Sequence, residues 1–120
     1  MNTSKLWQRA IDEHNKGEYH EAHELFEDLW MELDKRTEKD TVQTLAQADA
    51  LAVHLQSGNL GAAQRLMRQL PELMQTFPDK YRDIDLTEIR KWINHMIQQL
   101  PHSIETQAIT NKKPPKLNDS

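Results

Sequence analysis

An all-α fold, about five helices arranged as two helical hairpins plus a C-terminal helix, is predicted by three features of this sequence. Apolar residues recur with a period of about 3.6 in one window after another, and Gly17 and Gly58 stand where two of those windows stop. Residues able to cap a helix precede several of the next windows. Residues 1–101 read as a single helical domain and residues 102–120 as a flexible tail.

Taken in order, Thr3 or Ser4 can cap a first helix in which Leu6, Trp7, Ala10, Ile11 and His14 keep helical spacing, until Gly17 ends it. The second helix runs from Tyr19 to about Lys35, with Tyr19, Ala22, Leu25, Phe26, Leu29, Trp30 and Leu33 on one broad stripe. The polar run Lys35 to Asp40 reads as a connection, and Asp40 as the cap of a third helix from Thr41 to about Ser57. That helix is apolar almost all round, which makes it the central one. Asp49 falls among Val42, Leu45, Ala46 and Val53 and therefore needs a buried partner, a water or a local opening.

Gly58-Asn59 repeats the earlier punctuation, and the joints resemble those of tetratricopeptide-like hairpins. Their spacing exceeds the period of about 34 residues of such repeats, so the reading is two hairpins and not a solenoid. Ala63, Leu66, Met67, Leu70, Met74 and Phe77 form one stripe that continues past Pro71, which reads as a single kinked fourth helix. Tyr81 to Asp83 reads as loop. Asp85-Leu86-Thr87-Glu88 is an Asp-headed variant of the capping box, opening a last helix with Ile89, Trp92, Ile93, Met96, Ile97 and Leu100 on its buried side.

Composition removes several function classes. With no cysteine there is neither a disulfide framework nor a thiolate metal site, and no apolar run approaches the ~20 residues of a membrane span. The start lacks a signal-peptide core, so a cytoplasmic location is expected, or the plastid stroma if the source is a plant. A net charge of −4, from 19 acidic and 15 basic residues spread through the chain, speaks against general nucleic-acid binding.

Chemistry concentrates on the second helix, in His20-x-x-His23-Glu24-x-x-Glu27. The i, i+3 and i+4 spacing sets imidazole and carboxylate on neighbouring turns, as a metal site or an acid/base pair requires. His23, Glu27 and Trp30 line one border of the apolar stripe. On the third helix Gln47 and His54 are polar residues on an apolar rod and call for polar partners, which the His23/Glu27 edge can supply. The bland account is a hydrogen-bonded network at the core edge with His20, Glu21 and Glu24 in solvent. No nucleophile with an activating partner, oxyanion hole or phosphate loop accompanies the cluster.

The run Asn15-Lys16-Gly17-Glu18-Tyr19 with Glu21-Ala22-His23-Glu24, Glu27 and Trp30, followed by Gln43, Gln47, His54 and Gly58-Asn59 with Ala62, resembles the domain of unknown function 309 family, small helical proteins of bacteria, archaea and plastids. The resemblance spans about Trp7 to Leu100. It implies an all-helical fold and a signature face of His23, Glu24, Glu27, Trp30, Gln47 and His54, with no established reaction. This chain departs from that pattern at three positions: His14 stands where the family tends to have an aromatic, Thr44 where it tends to have Gly, and Asp49 where a small apolar residue is usual.

Two function classes follow. The first is a non-catalytic helical binding or interaction module, its partner a protein or a small ligand, with His23, Glu24, Glu27, Trp30, Gln47 and His54 as its site and no cofactor. The alternative is a small metal-dependent hydrolase using His20, His23, Glu27 and His54, for which a divalent metal is the one cofactor these residues admit.

Overall fold

The computed structural model describes residues 2–120. Six helices carry the chain: α1 (Thr3–Asn15), α2 (Tyr19–Glu32), α3 (Arg36–Gln56), α4 (Leu60–Met67), the one-turn α5 (Leu70–Leu73) and α6 (Thr87–Gln99). Gly17 and Gly58 adopt φ of +82° and +77°, the left-handed conformation that lets each helix end in a tight turn. Consecutive helices therefore double back, and α2 packs most extensively against α1 and α3. The core is the set of stripes read from the sequence: Leu6, Trp7, Ala10 and Ile11 meet Ala22, Leu25, Phe26 and Leu29, which meet Val42, Leu45, Ala48, Leu51 and Leu55. Trp7 sets its ring edge-to-face on Phe26 at 5.9 Å and on Tyr81 at 5.1 Å, binding the first hairpin to the segment before α6.

The third helix begins at Arg36, five residues before the expected Thr41, and Asp40 lies inside it. The run Lys35 to Asp40 has the polarity of a linker because this first turn and a half projects beyond the core. Its side chains serve α2 instead: Lys39 Nζ donates to the carbonyls of Trp30 (3.1 Å) and Leu33 (3.2 Å), closing the C-terminal end of α2, and lies 3.9 Å from the centre of the Trp30 ring. The cap places the helix-favouring Glu38 and Lys39 in a helix that pattern alone does not reveal.

The fourth helix is broken where a kink was expected. α4 stops at Met67, Arg68 and Gln69 tighten into turns on the carbonyls of Arg65 and Leu66, and α5 restarts with Pro71 in its first turn. A continuous helix would have needed an N–H that Pro71 lacks and would have driven its ring into the Met67 carbonyl. The apolar phase survives the break because the turn restores it. The expected loop Tyr81 to Asp83 falls inside a short hairpin, β1 (Lys80–Tyr81) and β2 (Ile84–Asp85), joined by Arg82 and Asp83 at φ of 46° and 68°. Asp85 Oδ1 accepts from both the N–H and the hydroxyl of Thr87, but the residue flanking α6 is Leu86 and Glu88 pairs with Lys91, so only the Asp half of the expected capping box is present.

From residue 102, where the sequence suggests a flexible tail, the chain lies against the helices, with Thr106, Ile109, Pro114 and Leu117 buried. Thr110 bonds to Gln99, and the Asn111 carbonyl accepts from Trp92 Nε1 at 2.6 Å. Further on, Asn15 exchanges two hydrogen bonds with the Leu117 backbone, and β3 (Asn118–Asp119) pairs antiparallel with β2. The segment thus runs back along α6, crosses the end of α1 and finishes on the hairpin. An extended strap buries isolated side chains and satisfies its carbonyls with side-chain donors, so it has no helical period to detect.

Candidate functional site

On α2, His23 is half-buried and its position follows from one bond. Nδ1 donates to the Ala46 carbonyl of α3 at 2.7 Å, which fixes the ring orientation and leaves Nε2 facing Glu27 Oε1 at 3.6 Å. His20 and Glu24, one turn apart on the outer side, stand 3.8 Å from each other with side chains 77% and 58% exposed. Across from them, Ala50, Val53 and His54 of α3 complete a cavity of about 220 Å³ lined by His20, His23, Glu24, Ala50, Val53 and His54. Its floor is aliphatic and its rim carries three imidazoles and a carboxylate.

Three of the proposed site residues go elsewhere. Gln47 turns away from His23 and Glu27, and its Nε2 donates to Gln69 Oε1 at 3.2 Å beside a cleft lined by Arg36, Asp40, Gln43, Arg68, Gln69, Glu72 and Leu73. The α3 surface at Gln47 faces the α4–α5 break, a neighbour that a two-helix wheel does not include. Trp30 is covered by Lys39, and Glu27 borders the cavity only through its pairing with His23. The metal set His20, His23, Glu27 and His54 does not assemble either: among the described residues no group of three or more His, Cys, Asp or Glu side chains is placed to hold a metal ion. As placed, these donors do not fit a metal centre.

A buried ionisable pair joins α1 to α3. His14 Nδ1 and Asp49 Oδ1 are 2.6 Å apart with side chains 1% and 0% exposed, and His14 Nε2 donates to the Pro115 carbonyl at 2.8 Å. Burial opposes the charged imidazole, but the hydrogen bond and charge of Asp49, helped by Pro115, outweigh it and raise the His14 pKa. Burial pushes the Asp49 carboxyl up, and His14 pulls it only partly back. Tyr19, edge-on to His14 at 5.5 Å, is raised by its own burial and by the Asp49 charge. The sequence flagged Asp49 as needing a partner. His14 lies on the apolar stripe of α1, and the signal that could have paired them is that each is an ionisable residue among apolar ones, one a base and the other an acid.

The family model described as a domain of unknown function (DUF309) matches residues 7–66, the segment that holds most of α1, all of α2 and α3, and most of α4. An uncharacterized protein of Aquifex aeolicus (strain VF5) is 30% identical over 84 residues, covering 69% of this chain and 25% of its own length. This chain therefore spans about a quarter of that relative. No solved structure matches it. No helix among the described residues is long and apolar enough to cross a membrane. With His20, His23, Glu24 and Glu27 on α2 and Gln47 and His54 on α3 all inside the matched segment, the chain belongs to the DUF309 family.

Proposed function

We propose that this chain is a non-catalytic helical binding module and that the α2–α3 cavity receives one anchoring side chain of a protein partner. The observation that supports this reading is the cavity itself, an aliphatic floor of Ala50 and Val53 beneath a rim of His20, His23, Glu24 and His54. Its volume of about 220 Å³ lies below the range of about 300–1,000 Å³ typical for cofactor-sized ligands and suits a single apolar side chain. The imidazoles and Glu24 would hydrogen-bond to the backbone on either side of that anchor. Net charge −4 favours a protein over a nucleic acid as the partner, and the expected cytoplasmic location goes with this reading.

Peptides selected from a random library on the wild-type protein test it. Val53→Asp puts a charge on the floor and is expected to weaken such peptides at least tenfold while the far-UV circular dichroism stays unchanged. Equal binding to a folded Val53→Asp variant would overturn the assignment. The metal-dependent hydrolase alternative needs a third donor beside His23 Nε2 and Glu27; tight zinc binding that is lost in His23→Ala would move the assignment to it.

A further inference from the structure

We propose that His14 and Asp49 form a one-proton latch for the C-terminal strap, residues 104–120, and that loss of this proton as the pH rises releases the strap. Pro115 offers His14 Nε2 only a carbonyl oxygen, 2.8 Å away, so Nε2 bears a hydrogen. At 2.6 Å, Nδ1 and Asp49 Oδ1 also need a proton between them, whether it is counted on nitrogen or on oxygen.

Removing one proton to solvent breaks this arrangement in either tautomer. If Nε2 keeps its hydrogen, the Nδ1 lone pair faces a carboxylate. If Nδ1 keeps it, the Nε2 lone pair faces the Pro115 carbonyl. One contact must open, and the two are not equally free to move. Asp49 is fully buried within α3, whereas Pro115 sits on an extended segment outside any helix. Asp49 has no other donor to turn to: among the described residues its Oδ2 is buried without a hydrogen-bond partner.

The groups facing the pair leave this logic intact. From α2, Tyr19 lies edge-on to the imidazole, and His23 is close enough for its charge to favour the carboxylate. On the strap side, Glu88, Lys91 and His95 of α6 and Lys113 share with Pro115 a cavity of about 320 Å³. None of them donates to Asp49. Release of the strap would uncover the apolar surface that Ile109, Pro114 and Leu117 now occupy.

Because the chain has no cysteine, Ser120→Cys gives a unique labelling position next to β3. Fluorescence anisotropy of a dye there, followed from acid to alkaline pH, is expected to fall with a midpoint above the ordinary histidine value of 6.5, with the helical circular dichroism retained. In Asp49→Asn the amide can donate to Nδ1 while Nε2–H stays on Pro115, so the fall should vanish and the strap should stay down. A flat wild-type trace, or the same midpoint in Asp49→Asn, would overturn the proposal. Should Asp49→Asn fail to fold, the imidazole ¹⁵N shifts of wild-type His14 decide: a change in those shifts that coincides with the fall in anisotropy supports the latch, and shifts that stay constant through the fall, or change only at or below pH 6.5, refute it.

Discussion

Asp49 sits in the body of α3 with neither oxygen reaching water, a position where an unpaired carboxylate would cost several kcal/mol. His14 makes the position tolerable, but at the expense of burying a second ionisable group. Removing one partner and removing both should therefore differ in sign. Asp49→Ala, which strands the imidazole, is expected to destabilise the fold by about 3–5 kcal/mol in urea melts. His14→Phe with Asp49→Ala replaces the pair by an aromatic and a small apolar residue, and should hold or raise the midpoint despite losing the bond to Pro115. Both pKa values are raised on folding, so the folded chain binds more protons than the unfolded one and stability falls as pH rises. The His14 contribution is fully present below 6.5 and is lost as the pH climbs through the higher folded value. Urea midpoints between pH 5 and 9 should show that decline in the wild type, and the double variant should flatten it.

At the scale of elements, the strap has the largest testable consequence. Burying Ile109 and Leu117 is worth about 1.5–3 kcal/mol each, against which stands the entropy of ordering an extended segment. A chain ended after Ser103 should lose a net of about 2–3 kcal/mol, a drop on the order of 10 °C in Tm by calorimetry. An unchanged Tm would make the segment dispensable, as its composition first suggested. The same contrast separates what was legible from what was not. Stripes such as Tyr19, Ala22, Leu25, Phe26 and Leu29 announce α2, since period and burial coincide there. The glycine joints announce the turns. The start of α3 and the break before Pro71 depend on Lys39 reaching α2 and on a proline clash, which the apolar pattern does not register. Of the site, the sequence sets the His23/Glu27 edge against Gln47 and His54, whereas one cavity is lined by His20, His23, Glu24 and His54 without Glu27 or Gln47. The turning away of Gln47 was not legible, because it depends on where α4 and α5 lie.

Considered whole, the chain has a Cα radius of gyration of 13.5 Å, close to the ~13.6 Å expected for a folded chain of this length. The strap is part of the body, and the bonds from His14 and Asn15 to Pro115 and Leu117 join the first helix to the last few residues. The hairpin turn gathers both extremities more closely still: Arg82 Nη1 donates to Thr3 Oγ1 at 3.3 Å, and the Ser120 N–H donates to the Asp83 carbonyl at 3.0 Å. Two adjacent residues thus hold the beginning and the end of the described polypeptide side by side, so its topology is close to that of a ring. A circular permutant follows directly. Joined from Ser120 to the N-terminus by a short Gly/Ser linker and opened between the exposed Asp34 and Lys35, it should keep the helical circular dichroism and melt within a few degrees of the parent. Failure of that permutant to fold, with the uncut cyclised chain folding normally, would show that the α2–α3 connection and not the meeting of the ends is what the architecture requires.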